Sequence, residues 1–304
     1  MNVNNNCSTG STALFLARQA IASGVAECVL AFGFEQMKPG AIASVFTDRP
    51  SPFDDFDKET DALVGMAEIP LALRYFGGAG LAHIKQYGTK LETFAKVRAK
   101  ASRHATKNPL ALFKKEVTAQ EVMDSPALWP GVLTRLMACP PTCGGAAAIL
   151  VSEDFAKKHG LKRNVEIAAQ AMTTDVPSSF GAHDMRQLVG FDMAKAAAKK
   201  VYEQAGIGPD ELDVVELHDC FAQNELLSYE ALGLLRCMRT SPKRSLRSAK
   251  NGPRSSESRR NIDLPARFSG HGASFPPAGS SDGTRGERRR VHRVERDGSP
   301  SPAS

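Results

Sequence analysis

The chain has 304 residues, 42% of them hydrophobic, enough for one large domain or two ordinary ones. No run of about 18 or more apolar residues occurs, which excludes a transmembrane helix, and the polar asparagines at the start lack the basic-then-apolar pattern of a secretory signal. The net charge of +6 is unevenly held: residues 1–235 carry 23 Lys+Arg against 27 Asp+Glu, a net of −4, and residues 236–304 carry 16 against 6, a net of +10.

Residues 8–23 predict a helix that Ser8 or Thr9 can cap, with Ala13, Leu14, Leu16, Ala17, Ala20 and Ile21 as its apolar face and Gly24 as its stop. Residues 27–34 form an apolar run that reads as a buried strand. A turn, a helix and a strand in that order point to an α/β protein. From about 35 to 138 the prolines at 39, 50, 52, 70, 109, 126 and 130 break the pattern, leaving short helical pieces such as 82–101. An excursion of that length is expected of a lid or binding element. The basic run 96–107 reads as a solvated helix face in preference to a site for coenzyme A phosphates.

Regular patterning returns with a small-then-apolar strand at 144–151, a helix opened by Ser152 and Glu153 and closed near Gly160, and a strand at 165–171. Asp192 is placed to cap a helix over 193–205 that Gly206 stops. A strand at 214–217 and a helix over 224–232, ended by Gly233, complete the order. Gly160 to Val165 is the expected junction between two α/β segments, 1–160 and 161–235. Beyond Leu235, Ser, Pro, Arg and Gly dominate. That segment, 236–304, cannot bury enough apolar surface to offset roughly 1–2 kcal/mol per residue of backbone entropy and is expected to be disordered. Its charge allows only non-specific attraction to nucleic acid or acidic surfaces. Phe268 and Phe275 are its only aromatics, too few for stacking on single strands.

Six cysteines (7, 28, 139, 143, 220 and 237) are scattered along the chain, a distribution that suits free thiols in a reducing compartment. Cys7 lies just before the first helix, whose N-terminus can favour a thiolate and so a nucleophile; a buried structural cysteine is the plainer alternative. His218 and Cys220 follow the 214–217 run, where ligands collect beyond the carboxyl ends of strands in open α/β sheets. There an imidazole can donate to an oxyanion and a thiol can exchange protons; a helix cap and a core cysteine would explain them equally simply. Cys139 and Cys143 with His218 and Cys220 offer four soft ligands, but without the Cys-x2-Cys spacing of a zinc site, so no metal is expected.

Four stretches together resemble the thiolase family, in its sterol-carrier-protein-type (3-ketoacyl-CoA) branch: 3–33, 87–95, 145–161 and 172–234. Within the last, Asp175-x-Pro177-Ser178-Ser179-Phe180, Gly190-Phe191-Asp192-Met193 and His218-Asp219-Cys220-Phe221 carry the likeness. The resemblance implies a five-layered α/β fold of two doubly wound halves, with a loop domain (about 35–138) covering the active site and a homodimer interface near the nucleophile. It implies Cys7 as the acylated nucleophile, His218 as an oxyanion-hole donor and Cys220 as the acid/base. Acyl-CoA thioesters are the implied substrates, with coenzyme A as the acceptor and no bound cofactor or metal. Degradative members work in peroxisomal lipid β-oxidation, although Pro302-Ala303-Ser304 does not match a Ser-Lys-Leu address and a cytoplasmic location would suit the sequence as well.

Three departures accompany the likeness. The family's elements ahead of the nucleophile are absent. Cys143-Gly144-Gly145 stands where Ser-Asp-Gly is usual. The pattern stops near Leu234, before the Gly-His-Pro segment whose histidine activates the nucleophile, and Gly270-His271-Gly272 lacks its proline. A fold truncated at both ends follows as the expectation. The alternative function is then a catalytically inactive thiolase-derived fragment, or a non-enzymatic binding protein with a basic tail.

Overall fold

The computed structural model describes residues 1–38, 48–65, 69–162 and 165–234, and the backbone of 291–294. A 3₁₀ turn at Asn6–Ser8 runs directly into α1 (Thr9–Ala22), which is followed by β1 (Cys28–Gln36). Next come α2 (Asp54–Val64), with Asp54, Asp55 and Asp57 in a first turn where negative charge suits the helix dipole, and α3 (Leu71–Tyr87). The single helical piece anticipated over 82–101 is two helices, because Gly88 ends α3 in the left-handed conformation (φ 67°) and α4 (Leu91–Ala105) starts afresh. A capping box between Thr118 and Glu121 opens α5 (Ala119–Asp124), and a small hairpin joins β2 (Ala127–Trp129) to β3 (Leu133–Thr134). The stretch expected to be irregular is therefore largely helical.

The chain then forms β4 (Cys143–Ser152) and α6 (Glu153–Lys158), which the Ser152 hydroxyl caps by accepting from the Phe155 N–H at 3.1 Å. Two single-turn helices, α7 (Ser178–Gly181) and α8 (Met185–Leu188), precede α9 (Phe191–Ala205) and α10 (Ala222–Ala231). Asp192 does not cap α9; it lies inside the first turn and accepts from the Ser178 hydroxyl at 2.8 Å. The backbone of 291–294 forms β5 (Val291–Val294), parallel to β4. The disorder expected for 236–304 otherwise falls on residues outside those described.

β1 and β4 pair antiparallel from Cys28 opposite Val151 to Gln36 opposite Cys143, and the sheet order is β1-β4-β5. Directly opposed residues share a face, so α1 covers Val29, Ala31, Ala148 and Leu150 with Leu14, Ala17 and Ile21. The other face stays open, with Leu30, Phe32 and Phe34 exposed by 61%, 56% and 77%. β1 is thus half-buried, not buried on both sides as its continuous apolar run suggested.

The remaining helices form a second body. Phe94, Ala95 and Val97 of α4 pack with Val122, Val132, Leu133, Met137, Phe221, Ala222 and Leu226. α3 and α10 approach closely at Gly80, where an added Cβ would stand 2.4 Å from Gln223 Cγ. The strands expected at 165–171 and 214–217 are not among those formed. Both runs have the side chains of a strand, but the first carries a bridge at Glu166 and no extended ladder, and Val214 in the second is 58% exposed.

Candidate active site

Cys7 occupies the 3₁₀ turn ahead of α1 and is exposed. The turn is held by three asparagines and two threonines. The Asn5 N–H donates to Thr9 Oγ1 at 2.8 Å, Asn5 Nδ2 donates to Thr12 Oγ1 at 3.1 Å, and the Asn6 N–H donates to Asn4 Oδ1 at 3.3 Å. The Thr9 hydroxyl donates to the Asn6 carbonyl at 2.7 Å. Neither Ser8 nor Thr9 caps α1 in the expected way; Ser8, at the cap position, makes no side-chain bond to the helix. Asn6 is left-handed (φ 47°), a conformation that asparagine tolerates better than most residues. The turn so formed leaves the Cys7 side chain open just before a 14-residue helix.

Cys220 arrives from the other end of the described chain. Phe221, its neighbour, is buried in the helical body at 4% exposure and forms an isolated antiparallel bridge with Ala138. The Cys139 N–H donates to the Cys220 carbonyl at 2.8 Å. Alternation then turns Cys139 and Cys220 to the opposite side from Phe221. Burial pushes the Cys220 thiol up, and the charges of Cys139, Cys7 and Asp219 push it further. Burial likewise raises the Cys139 thiol, with Cys7 and Asp219 adding to it. These shifts report proximity: Cys7, Cys139 and Cys220 lie within electrostatic reach of one another.

His218 is exposed, two residues before Cys220, and its carbonyl accepts from Asn224 Nδ2 at 2.7 Å. α10 thereby fixes the start of the His-Asp-Cys-Phe segment by a local side-chain bond. α10 is itself anchored by polar contacts: Glu225, which also meets the Tyr229 hydroxyl one turn on, meets Lys100 of α4, and Glu230 meets His83 Nε2 of α3 at 3.1 Å, while His83 Nδ1 meets Thr89 at 2.8 Å. Arg98 of α4 feels the charge of Asp219, although burial lowers its pKa overall.

Of the residues singled out from sequence, Cys7 and Cys220 lie within electrostatic reach of each other, with His218 on the same segment as Cys220. Cys139 was weighed only as a zinc ligand; the bridge from Ala138 to Phe221 is what makes it a neighbour, and no sequence spacing announces that bridge. Among the described residues no group of three or more His, Cys, Asp or Glu side chains is arranged to hold a metal ion, and no helix is long and apolar enough to cross a membrane.

The family described as "Thiolase, N-terminal domain" matches residues 1–126, and "Thiolase C-terminal domain-like" matches residues 177–242. Sterol carrier protein 2 of Oryctolagus cuniculus is 52% identical over 238 residues, covering 77% of this chain and 43% of that protein. The chain thus spans less than half the length of that relative. Among solved structures, the dimeric peroxisomal thiolase of Saccharomyces cerevisiae aligns with a TM-score of 0.55 at 20% identity, over 76% of this chain and 61% of that one. A monomeric SCP2-thiolase like protein from Mycobacterium smegmatis aligns with a TM-score of 0.51 at 21% identity, over 74% and 47%. At these identities the structures speak for the fold, which is mixed α/β and thiolase-like. With both family domains matched in order and half the aligned residues shared with sterol carrier protein 2, the chain belongs to the thiolase family, in its sterol-carrier-protein-type branch.

Proposed function

We propose that this chain carries a thiol acyl-transfer site for 3-ketoacyl-CoA thioesters, with Cys7 as the nucleophile and coenzyme A as the acyl acceptor. The observation that supports it most is that Cys7 lies within electrostatic reach of Cys220, from a distant part of the chain. The Cys7 sulfur, entering as the thiolate and released as the thiolate at the end of the cycle, adds to the 3-keto carbon, and His218 donates to the developing oxyanion. The bond between carbons 2 and 3 breaks, the acyl group stays on Cys7, and the departing enolate takes a proton from Cys220. Coenzyme A then gives its proton back to the Cys220 thiolate as its sulfur takes the acyl group. A thiol held above its ordinary pKa stays protonated near neutrality, as an acid poised for that first transfer must. By this reading the chain serves lipid β-oxidation in the peroxisome and, like the yeast thiolase, pairs with a second subunit.

Incubation with acetyl-CoA followed by intact mass and peptide mapping tests the assignment without requiring turnover. One acetyl group on Cys7 is expected, lost in Cys7→Ala, with coenzyme-A-dependent cleavage of acetoacetyl-CoA slowed about 10²–10⁴-fold by Cys220→Ala. Acetylation at another cysteine, or none, overturns it. The open face of β1 favours a second reading, in which the chain is thiolase-derived and does not turn over by itself. Acetylated Cys7 without cleavage would be its signature.

A further inference from the structure

Cys139 has no place in the acyl-transfer scheme, yet it is the residue most directly joined to Cys220. Ala138 and Phe221 are antiparallel partners, so the next pair along is Cys139 opposite Cys220, and the 2.8 Å bond from the Cys139 N–H to the Cys220 carbonyl lies within that pair. Opposed residues of an antiparallel pair have Cα atoms about 4.5–5.5 Å apart and side chains on one face. A disulfide needs Cα atoms about 4.4–6.8 Å apart. Ladder geometry carried on by one residue from that bridge sets the two thiols at bridging distance. Cys139 is exposed and Cys220 half-buried, so an oxidant can reach the pair from the Cys139 side.

We propose that Cys139 and Cys220 form a cross-strand dithiol that hydrogen peroxide closes to a disulfide, a reversible modification at the edge of the acyl-transfer site. The Cys139 thiol loses its proton and its sulfur attacks one peroxide oxygen. The O–O bond breaks, giving the sulfenic acid and, with that proton, one water. The Cys220 thiol then attacks the sulfenic sulfur, the Sγ–Sγ bond forms, and the hydroxyl leaves with the Cys220 proton as a second water. Two thiols are oxidised by two electrons and one peroxide is reduced to two waters. Burial raises the Cys220 thiol, so Cys139, the exposed partner, is the one that meets the peroxide first. Where the acyl-transfer reading holds, closure consumes the acid/base thiol and silences the site; the disulfide itself does not depend on that reading.

The test is to expose the full chain to excess hydrogen peroxide, block remaining thiols with N-ethylmaleimide under denaturing conditions, and map tryptic peptides by mass. Loss of two alkylation sites and a linked peptide pair containing Cys139 and Cys220, two hydrogens lighter and restored by dithiothreitol, is expected. Cys139 and Cys143 share a tryptic peptide, so Cys143→Ser must keep the link and Cys139→Ser must lose it. If Cys139→Ser does not fold, the Cys143→Ser map still decides. Full alkylation of both thiols after oxidation, or a bridge that uses Cys7 or Cys143 in place of either partner, overturns the proposal.

Discussion

The β1–β4 sheet and the helical body bury their side chains in different ways. The sheet has one finished face, where Ile21 of α1 is 0% exposed, and one unfinished face, where Phe34 is 77% exposed. The body of α3, α4 and α10 is closed on itself and even encloses polar groups: Gln223 is 0% exposed and Glu225 is 4% exposed. Cys7 belongs to the first region and Cys220 to the second. Cys220, the proposed acid/base thiol, therefore sits on a frame that few changes could shift, while Cys7, the proposed nucleophile, hangs from a helix and sheet still able to take on a covering layer. An unpaired apolar face of this kind is a ready contact for another chain.

Gly80→Ala should give the largest effect among simple tests of this contrast. The new methyl would meet Gln223 Cγ at 2.4 Å, and Gln223 cannot swing aside because its Nε2 donates to the Val132 carbonyl at 2.9 Å. Overpacking of this kind costs about 1–3 kcal/mol, more than the roughly 0.5–1 kcal/mol that alanine returns in a helix. Urea unfolding should show the loss; a variant as stable as its parent would mean that α10 is free to slide.

Asp184→Asn should have a smaller effect. Burial raises the Asp184 carboxyl, but hydrogen bonds from the Arg186 side chain and N–H outweigh it and hold the group below its usual value; Arg186 Nη1 also donates to the Tyr87 hydroxyl at 2.8 Å. A carboxylate depressed in the fold contributes stability above its unfolded pKa of about 3.9 and loses it as pH falls through the folded value. The variant should be about 1 kcal/mol less stable at neutral pH, and the two proteins should converge in acid. Equal stability at every pH would place that ion pair outside the helical body's cooperative core.

Phe32→Thr should change stability least, within about 0.5 kcal/mol, because the ring is 56% exposed and, among the described residues, stacks on Phe34 alone, at a centroid distance of 5.6 Å. Its effect should appear in sedimentation, as reduced self-association. A large loss of stability would show that the face is already covered.

Elements bounded by local chemistry were legible in the sequence. Gly24, Gly160, Gly206 and Gly233 stand at the predicted helix ends, with φ of 76°, 61°, 67° and 75°, because only glycine takes that backbone freely. Ser152 was legible as the opener of α6 for the same local reason. Among the described residues, 165–171 and 214–217 form no strand, because an apolar run reports what a segment could bury, not the ladder it ends up in. The open face of β1 escaped for the converse reason: its alternate residues are all apolar, so nothing in the run marks the side that lacks a cover. At the candidate site, Cys7, His218 and Cys220 were singled out by their places before a helix and after an apolar run, and their expected roles came from the family likeness. Cys139 became part of it only through a contact between segments far apart in sequence.

The three asparagines before Cys7 look like a repeat but are three separate parts. Asn4 supplies an acceptor to the Asn6 N–H, and Asn5 reaches forward to the threonines of α1. Asn6 is the one whose own backbone is left-handed. Mutational tolerance should therefore differ sharply along an apparently uniform run. Position 4 should accept aspartate or serine, which keep an acceptor, and position 5 should reward any side chain that still reaches Thr12. Position 6 should accept glycine and reject valine or isoleucine, whose branched Cβ suits that backbone worst. A saturation library read by Cys7 labelling would resolve three different alphabets in a single tripeptide.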